Sequence, residues 1–132
     1  MTYSELVILA MTYAAQFSDY PMPQVPPIIQ RVSYEWIVAH TCKGEESHCA
    51  SDGDYDAGVI YALEGVSQQR LEQIAVHDTV HHAQWMYYGR GPLTCEENAQ
   101  WEGEAYRAEV LYTITIQHQP WKRNGVLAKG CQ

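Results

Sequence analysis

Apolar-rich stretches with few breakers alternate along this chain with short segments dense in Pro, Gly, Asp and Ser, and the boundaries between them predict its elements. Residues 3–17 read as a helix, ended by SDYPMPQVPP (18–27), whose Pro21, Pro23, Pro26 and Pro27 enforce an extended connection. Residues 28–32 read as a short strand, and Ser33 then stands where a helix N-cap would, opening the short helix YEWIVAH over 34–40. The stretch 41–58 is rich in Gly, Ser, Asp and Glu and reads as an exposed loop. GVIYAL (58–63), β-branched and aromatic, suits a second strand. Glu64 and Gly65 turn the chain, Ser67 caps a long helix reaching about Tyr88, and Gly89 and Pro92 stop it. Thr94 with Glu97 three residues later has the pattern of a capping box, for a last helix running to about His118 before Pro120.

These elements predict an α+β class: a small sheet including 28–32 and 58–63, packed on two long helices, with the N-terminal helix outside them. A chain of 132 residues suits one domain, with helix 1–17, connection 18–27, core 28–118 and tail 119–132. Eight Lys and Arg against sixteen Asp and Glu give a net charge of −8. Such a surface repels nucleic acid and anionic membranes, and Lys122, Arg123 and Lys129 are too few to reverse that. The apolar run LVILAM (6–11) follows Glu5 rather than a positive segment, lacks a small-residue cleavage site and is too short for a bilayer. It leads us to expect a soluble protein without a signal peptide, in the cytoplasm or in an assembled particle.

Cys42 and Cys49 flank the polar loop KGEESH, where they could close a disulfide, remain free thiols in a reducing compartment, or join His40 and His48 in a zinc knuckle. Cys95 and Cys131 are far apart in sequence, and no pairing follows from spacing. Asp52, Asp54 and Asp56 at alternate positions have the opening pattern of a calcium loop. Gly58 falls one place late, however, and Leu63 stands where the closing glutamate belongs, so a solvated turn is the better reading.

The chemistry concentrates in HDTVHHAQW (77–85). Residues four apart stack on one face of a helix, so His77 and His81 can both reach one metal ion; taken alone, the pair reads better as partly buried core histidines, each donating to a carbonyl, and the metal reading rests on what surrounds it. WEGEAYRAE (101–109) in the next helix offers a third ligand. Glu102 shares a face with Ala105, Tyr106 and Glu109, whereas Glu104 lies about 200° round the helix, so one of Glu102 and Glu104 is the ligand and not both.

VHDTVHHAQ followed by WEGEAY resembles the HExxH zinc metallopeptidases of the gluzincin type, especially small members like the ImmA/IrrE group, over about residues 27–115. The resemblance implies a zincin-like fold with one zinc ion held by His77, His81 and Glu102, Glu104 being the alternate third ligand. It implies peptide-bond hydrolysis by zinc-activated water with Asp78 as general base, and a peptide or protein substrate lying along GVIYAL as edge strand of the cleft. Ala105 becomes the small residue that lets the helices approach, while Tyr106 stands where the family has Asn or Asp. Tyr88, Tyr112 and His118 are the candidates for donating to the developing oxyanion, and His82, pointing about 100° away from His81, is expected beside the site or exposed. Asp78 departs from the family's glutamate: it keeps the charge but withdraws the carboxylate by roughly 1–1.5 Å, and about 1 Å of misplacement can cost on the order of a hundredfold in rate. The alternative function is therefore a catalytically weak or inactive peptidase-like fold serving as a structural or binding subunit of a larger assembly, viral or secretion-related.

Overall fold

A computed structural model describes residues 1–121, apart from the His48 side chain. The tail beyond Trp121, with Lys122, Arg123, Lys129 and Cys131, lies outside the described residues. The protein is α+β, with four α-helices and a three-stranded mixed sheet among those residues. In chain order the elements are α1 (Tyr3–Phe17), β1 (Ile28–Val32), α2 (Tyr34–His40), β2 (Gly53–Asp56), β3 (Val59–Leu63), α3 (Gln68–Tyr88) and α4 (Cys95–Leu111). No helix among the described residues is long and apolar enough to cross a membrane.

Side-chain caps start the helices where the sequence places them. Ser33 accepts from the Trp36 amide at 3.1 Å, Ser67 from the Arg70 amide at 3.1 Å, and Thr94 from the Glu97 amide at 3.0 Å. The expected capping box at α4 is only half formed. The Glu97 carboxylate takes the Leu93 amide at 3.0 Å and the Arg90 guanidinium instead of returning to Thr94. α3 ends on Gly89 at φ 71°, the left-handed conformation that glycine adopts at least cost. α4 stops at Leu111, short of His118, because the last turn widens into a π turn over Tyr112–Ile116; Tyr112 is buried there and its hydroxyl donates to Glu72 at 2.5 Å.

The sheet order is β1-β3-β2, with β1 parallel and β2 antiparallel to β3. GVIYAL is thus the central strand, not the edge strand expected from the resemblance, and both its sides are already paired. The stretch 41–58 is also more structured than a loop. It holds a short 3-10 turn at Glu46–His48, the Cys42–Cys49 disulfide and strand β2, which reaches β3 through a tight turn with Ala57 at φ 44° and Gly58 at φ 96°. The disulfide occupies both sulfurs that a zinc knuckle would have needed. Asp52 and Asp54 are committed elsewhere, to Arg70 and to the Thr41 hydroxyl, so the calcium-like spacing has a structural explanation.

α3 lies at the centre, buried along most of its length. One side packs with α1 and the sheet through Leu6, Ala10, Ile29, Ile60, Ala62, Leu71, Ile74 and Ala75. Another packs with α1 and α4 through Ala14, Val76, Val80, Ala105, Ala108 and Tyr112. α1 is therefore part of the core rather than an outer layer. Burying Val76 and Val80 fully contributes about 1.5–3 kcal/mol each. Facing them, Ala105 and Ala108 are fully buried and keep α4 close to α3, which sets the spacing of the side chains between the helices.

Candidate metal centre

His77, Asp78 and His81 come from the middle of α3, and Glu102 and Glu109 from one face of α4, two turns apart. One ligand atom each from His77, His81 and Glu102 lies within 4.8 Å of the others, a group that could hold a metal ion. Nε2 of His77 stands 3.2 Å from Glu102 Oε1, and Nε2 of His81 approaches the same oxygen. Glu104 is not brought into the group: it accepts the Tyr20 hydroxyl at 2.6 Å and the Gln84 amide at 3.0 Å on the opposite side of α4.

The other nitrogen of each imidazole is held from behind. Nδ1 of His77 is 3.1 Å from Glu109 Oε1; an ionised carboxylate only accepts, so Nδ1 carries the proton. Nδ1 of His81 is 2.8 Å from Gln84 Oε1. The orientation of that amide is fixed because its nitrogen already donates to the Trp101 carbonyl and to Glu104, both at 3.0 Å. Gln84 therefore presents its oxygen to His81, and Nδ1 is again the protonated nitrogen. Both Nε2 atoms then converge on a carboxylate oxygen. Two such nitrogens and a carboxylate oxygen meet only with a positive charge between them, which a proton on Nε2 or a metal ion supplies, so the donor set fits a cation. Imidazoles oriented through Nδ1 by a carboxylate or amide oxygen are the usual support of a metal site.

Without a metal ion the group is held as an ion pair, the proton on His77 standing where the ion would. Burial would lower the His77 pKa, but Glu102 and Glu109 outweigh it and lift it to about 10. Burial would raise Glu102, but bonds from His77 and His81 hold it well below the usual carboxylate range. Glu109 is likewise lowered despite burial, by His77, Arg70 and Trp121; its Oε2 accepts from Arg70 at 3.3 Å and from the Trp121 indole at 2.6 Å. Asp78 behaves differently. Burial pushes its carboxyl up to about 7 against the pull of His77 and His81, and its Oδ2 has no hydrogen-bond partner among the described residues. Gly53 of β2 lies over it, where a Cβ would come 3.5 Å from Asp78 Oδ2 and 2.8 Å from the Ile74 side chain, so that only glycine fits without displacement.

These groups line a cleft of about 900 Å³ along α3. None of the three expected oxyanion donors lines it. Tyr112 is buried against Glu72, Tyr88 stacks on Trp101 at 5.1 Å, and His118 is exposed. The tyrosines in the cleft are Tyr55 and Tyr106. The hydroxyl of Tyr55 is engaged with His82 Nδ1 and the Gly58 amide, both at 2.8 Å, while the Tyr106 ring meets His77 edge-on at 4.6 Å. His82 is buried, neither exposed nor at the ligands: its Nε2 reaches the Val25 carbonyl at 2.6 Å and ties the proline-rich connection to α3.

Gln84 and Glu109 are the functional residues that pattern reading misses, although Gln84 follows His81 by one turn and Glu109 follows Glu102 by two. Gln84→Ala is expected to lower metal affinity about ten- to hundredfold with the three ligands retained, as measured by competition with a chromophoric chelator. No protein-family model matches the chain, and neither a curated protein nor a solved structure matches it.

Proposed function

We propose that the chain is a zinc-binding, metallopeptidase-like protein with a zincin-like arrangement, in which His77, His81 and Glu102 hold one zinc ion and Asp78 is the general base for peptide-bond hydrolysis. The observation that carries this reading is the convergence of two Nε2 atoms and one carboxylate oxygen, with both Nδ1 atoms held by Glu109 and Gln84. Two imidazoles and one carboxylate suit zinc and leave a coordination position open to the cleft. Zinc held this way supplies Lewis acidity, polarising a carbonyl and bringing the pKa of water near neutrality.

The chain's own contribution follows from placement. Asp78 lines the same cleft on the turn between the two histidines, and its Oδ2 has no partner among the described residues. In the proposed reaction that carboxylate takes the proton of the attacking water and returns it to the leaving amine nitrogen as the C–N bond breaks.

The test is elemental analysis of the purified protein together with anomalous diffraction at the zinc edge. One zinc per chain, with an anomalous peak between His77, His81 and Glu102, is the expected result. Protein that remains metal-free after incubation with zinc would overturn the reading.

A further inference from the structure

α3 forms the floor of the cleft and presents Arg70, His77, Asp78, His81 and Trp85 along it, so the two ends can be compared. At the Arg70 end the charge is compensated inside the protein. The guanidinium takes Asp52 through two bonds of 2.6 and 2.9 Å and Glu109 at 3.3 Å, leaving little cationic capacity for a ligand. At the other end, one turn past His81, Trp85 lines the cleft together with Pro92 and Trp101. The Trp85 ring rests on bare backbone, since a Cβ on Gly91 would lie 2.7 Å from its Cζ2, and Tyr55 meets it edge-on at 5.7 Å. A ring fixed in this way offers apolar surface without an ordering cost when a ligand arrives.

The edge strand β2 is poorly suited to pairing with a ligand. Leu63 N–H bonds the Asp52 carbonyl, so by alternation the backbone groups of Gly53 and Tyr55 point away from β3. Two of these outward groups are already satisfied by neighbouring side chains: the Ser51 hydroxyl donates to the Gly53 carbonyl at 2.8 Å, and Asp54 accepts the Tyr55 N–H at 2.9 Å. A peptide adding itself as a fourth strand would have to displace both.

We infer that the ligand of this cleft is a peptide anchored by one bulky apolar side chain, aromatic or large aliphatic, seated against Trp85 and Pro92 beside the metal centre, and not by strand addition to β2. The inference rests on the metal-centre reading above. Seating a phenyl ring there strengthens binding tenfold or more through the apolar surface it buries.

Two probes with the same metal-binding head and different tails test it: acetohydroxamate and 3-phenylpropanohydroxamate, titrated calorimetrically into the zinc-loaded full chain. The native protein is expected to bind the phenyl probe at least about tenfold more tightly. Trp85→Ala is expected to bring the ratio within about twofold, with zinc content and acetohydroxamate affinity unchanged. Trp85→Leu makes the same comparison if the alanine variant does not fold. Equal binding of both probes by the native protein, or an undiminished ratio in the variant, would overturn the subsite while leaving the metal centre standing. If neither probe binds and zinc is not retained, the metal centre fails and the subsite with it.

Discussion

His81→Ala is expected to abolish stoichiometric metal binding, taking the zinc content of dialysed protein from one ion per chain to a trace. Only three side chains supply ligand atoms to the group, so no spare donor among them replaces a lost imidazole. Closed four-ligand zinc sites bind with apparent free energies of roughly 10–16 kcal/mol, so one ligand carries on the order of 3–4 kcal/mol, or a factor of several hundred in affinity. The neighbours reinforce the effect. Without the imidazole, Gln84 loses the group that orders its oxygen, and Glu102 loses one of the two bonds that hold its carboxylate ionised in a partly buried place. His40→Ala is the matched control: that histidine is exposed on α2, bonded to the Trp36 carbonyl and outside the cleft, and its loss should leave the metal content unchanged. Retention of a full equivalent by His81→Ala would show that the ion sits elsewhere.

Much of the fold was legible where local chemistry decides it. Ser33, Ser67 and Thr94 cap the helices they were expected to cap, and the left-handed Gly89 ends α3, because capping depends on residues within one turn. β2 was not legible. GDYD has a composition that favours turns, and it becomes a strand because Gly53 fits between Ile74 and the Tyr61 carbonyl, a tertiary contact without a local signature. That added strand is also why GVIYAL is central, since its pattern cannot distinguish one paired neighbour from two. In the site, the spacing of His77 and His81 and the shared face of Glu102 and Glu109 were readable from helix geometry. The roles of Gln84, Glu109 and Arg70 were not, because each depends on which atoms of a neighbouring side chain are already engaged. His82 was equally unreadable, as its partners Tyr55 and Val25 lie on segments far away in sequence.

Asp78→Asn is expected to leave the zinc content at one ion per chain and to lower peptide hydrolysis by about 10²–10⁴-fold, the usual contribution of a general base. The two readouts separate because Asp78 is outside the ligand group, and asparagine preserves its shape while removing its ability to accept a proton. The site is well built for the native acid: Asp78 is buried under Gly53, its Oδ2 has no partner among the described residues, and burial, helped by the charges of Glu102 and Asp54, pushes its carboxyl up to about 7. What the acid lacks is reach. Asp78→Glu advances the carboxylate by roughly 1–1.5 Å, so if the added methylene directs it toward the metal group, hydrolysis should rise by as much as about a hundredfold. A fall would instead mean that the backbone of α3 and the glycine above it are fitted to the shorter side chain. If the native protein and Asp78→Glu both bind zinc and neither cleaves a peptide, the site is a binding site, and the chain takes the role of a structural subunit whose metal centre orders the α3–α4 pair. The Asp78 series therefore tests catalysis independently of the metal, by altering a buried acid in the cleft whose Oδ2 has no partner among the described residues.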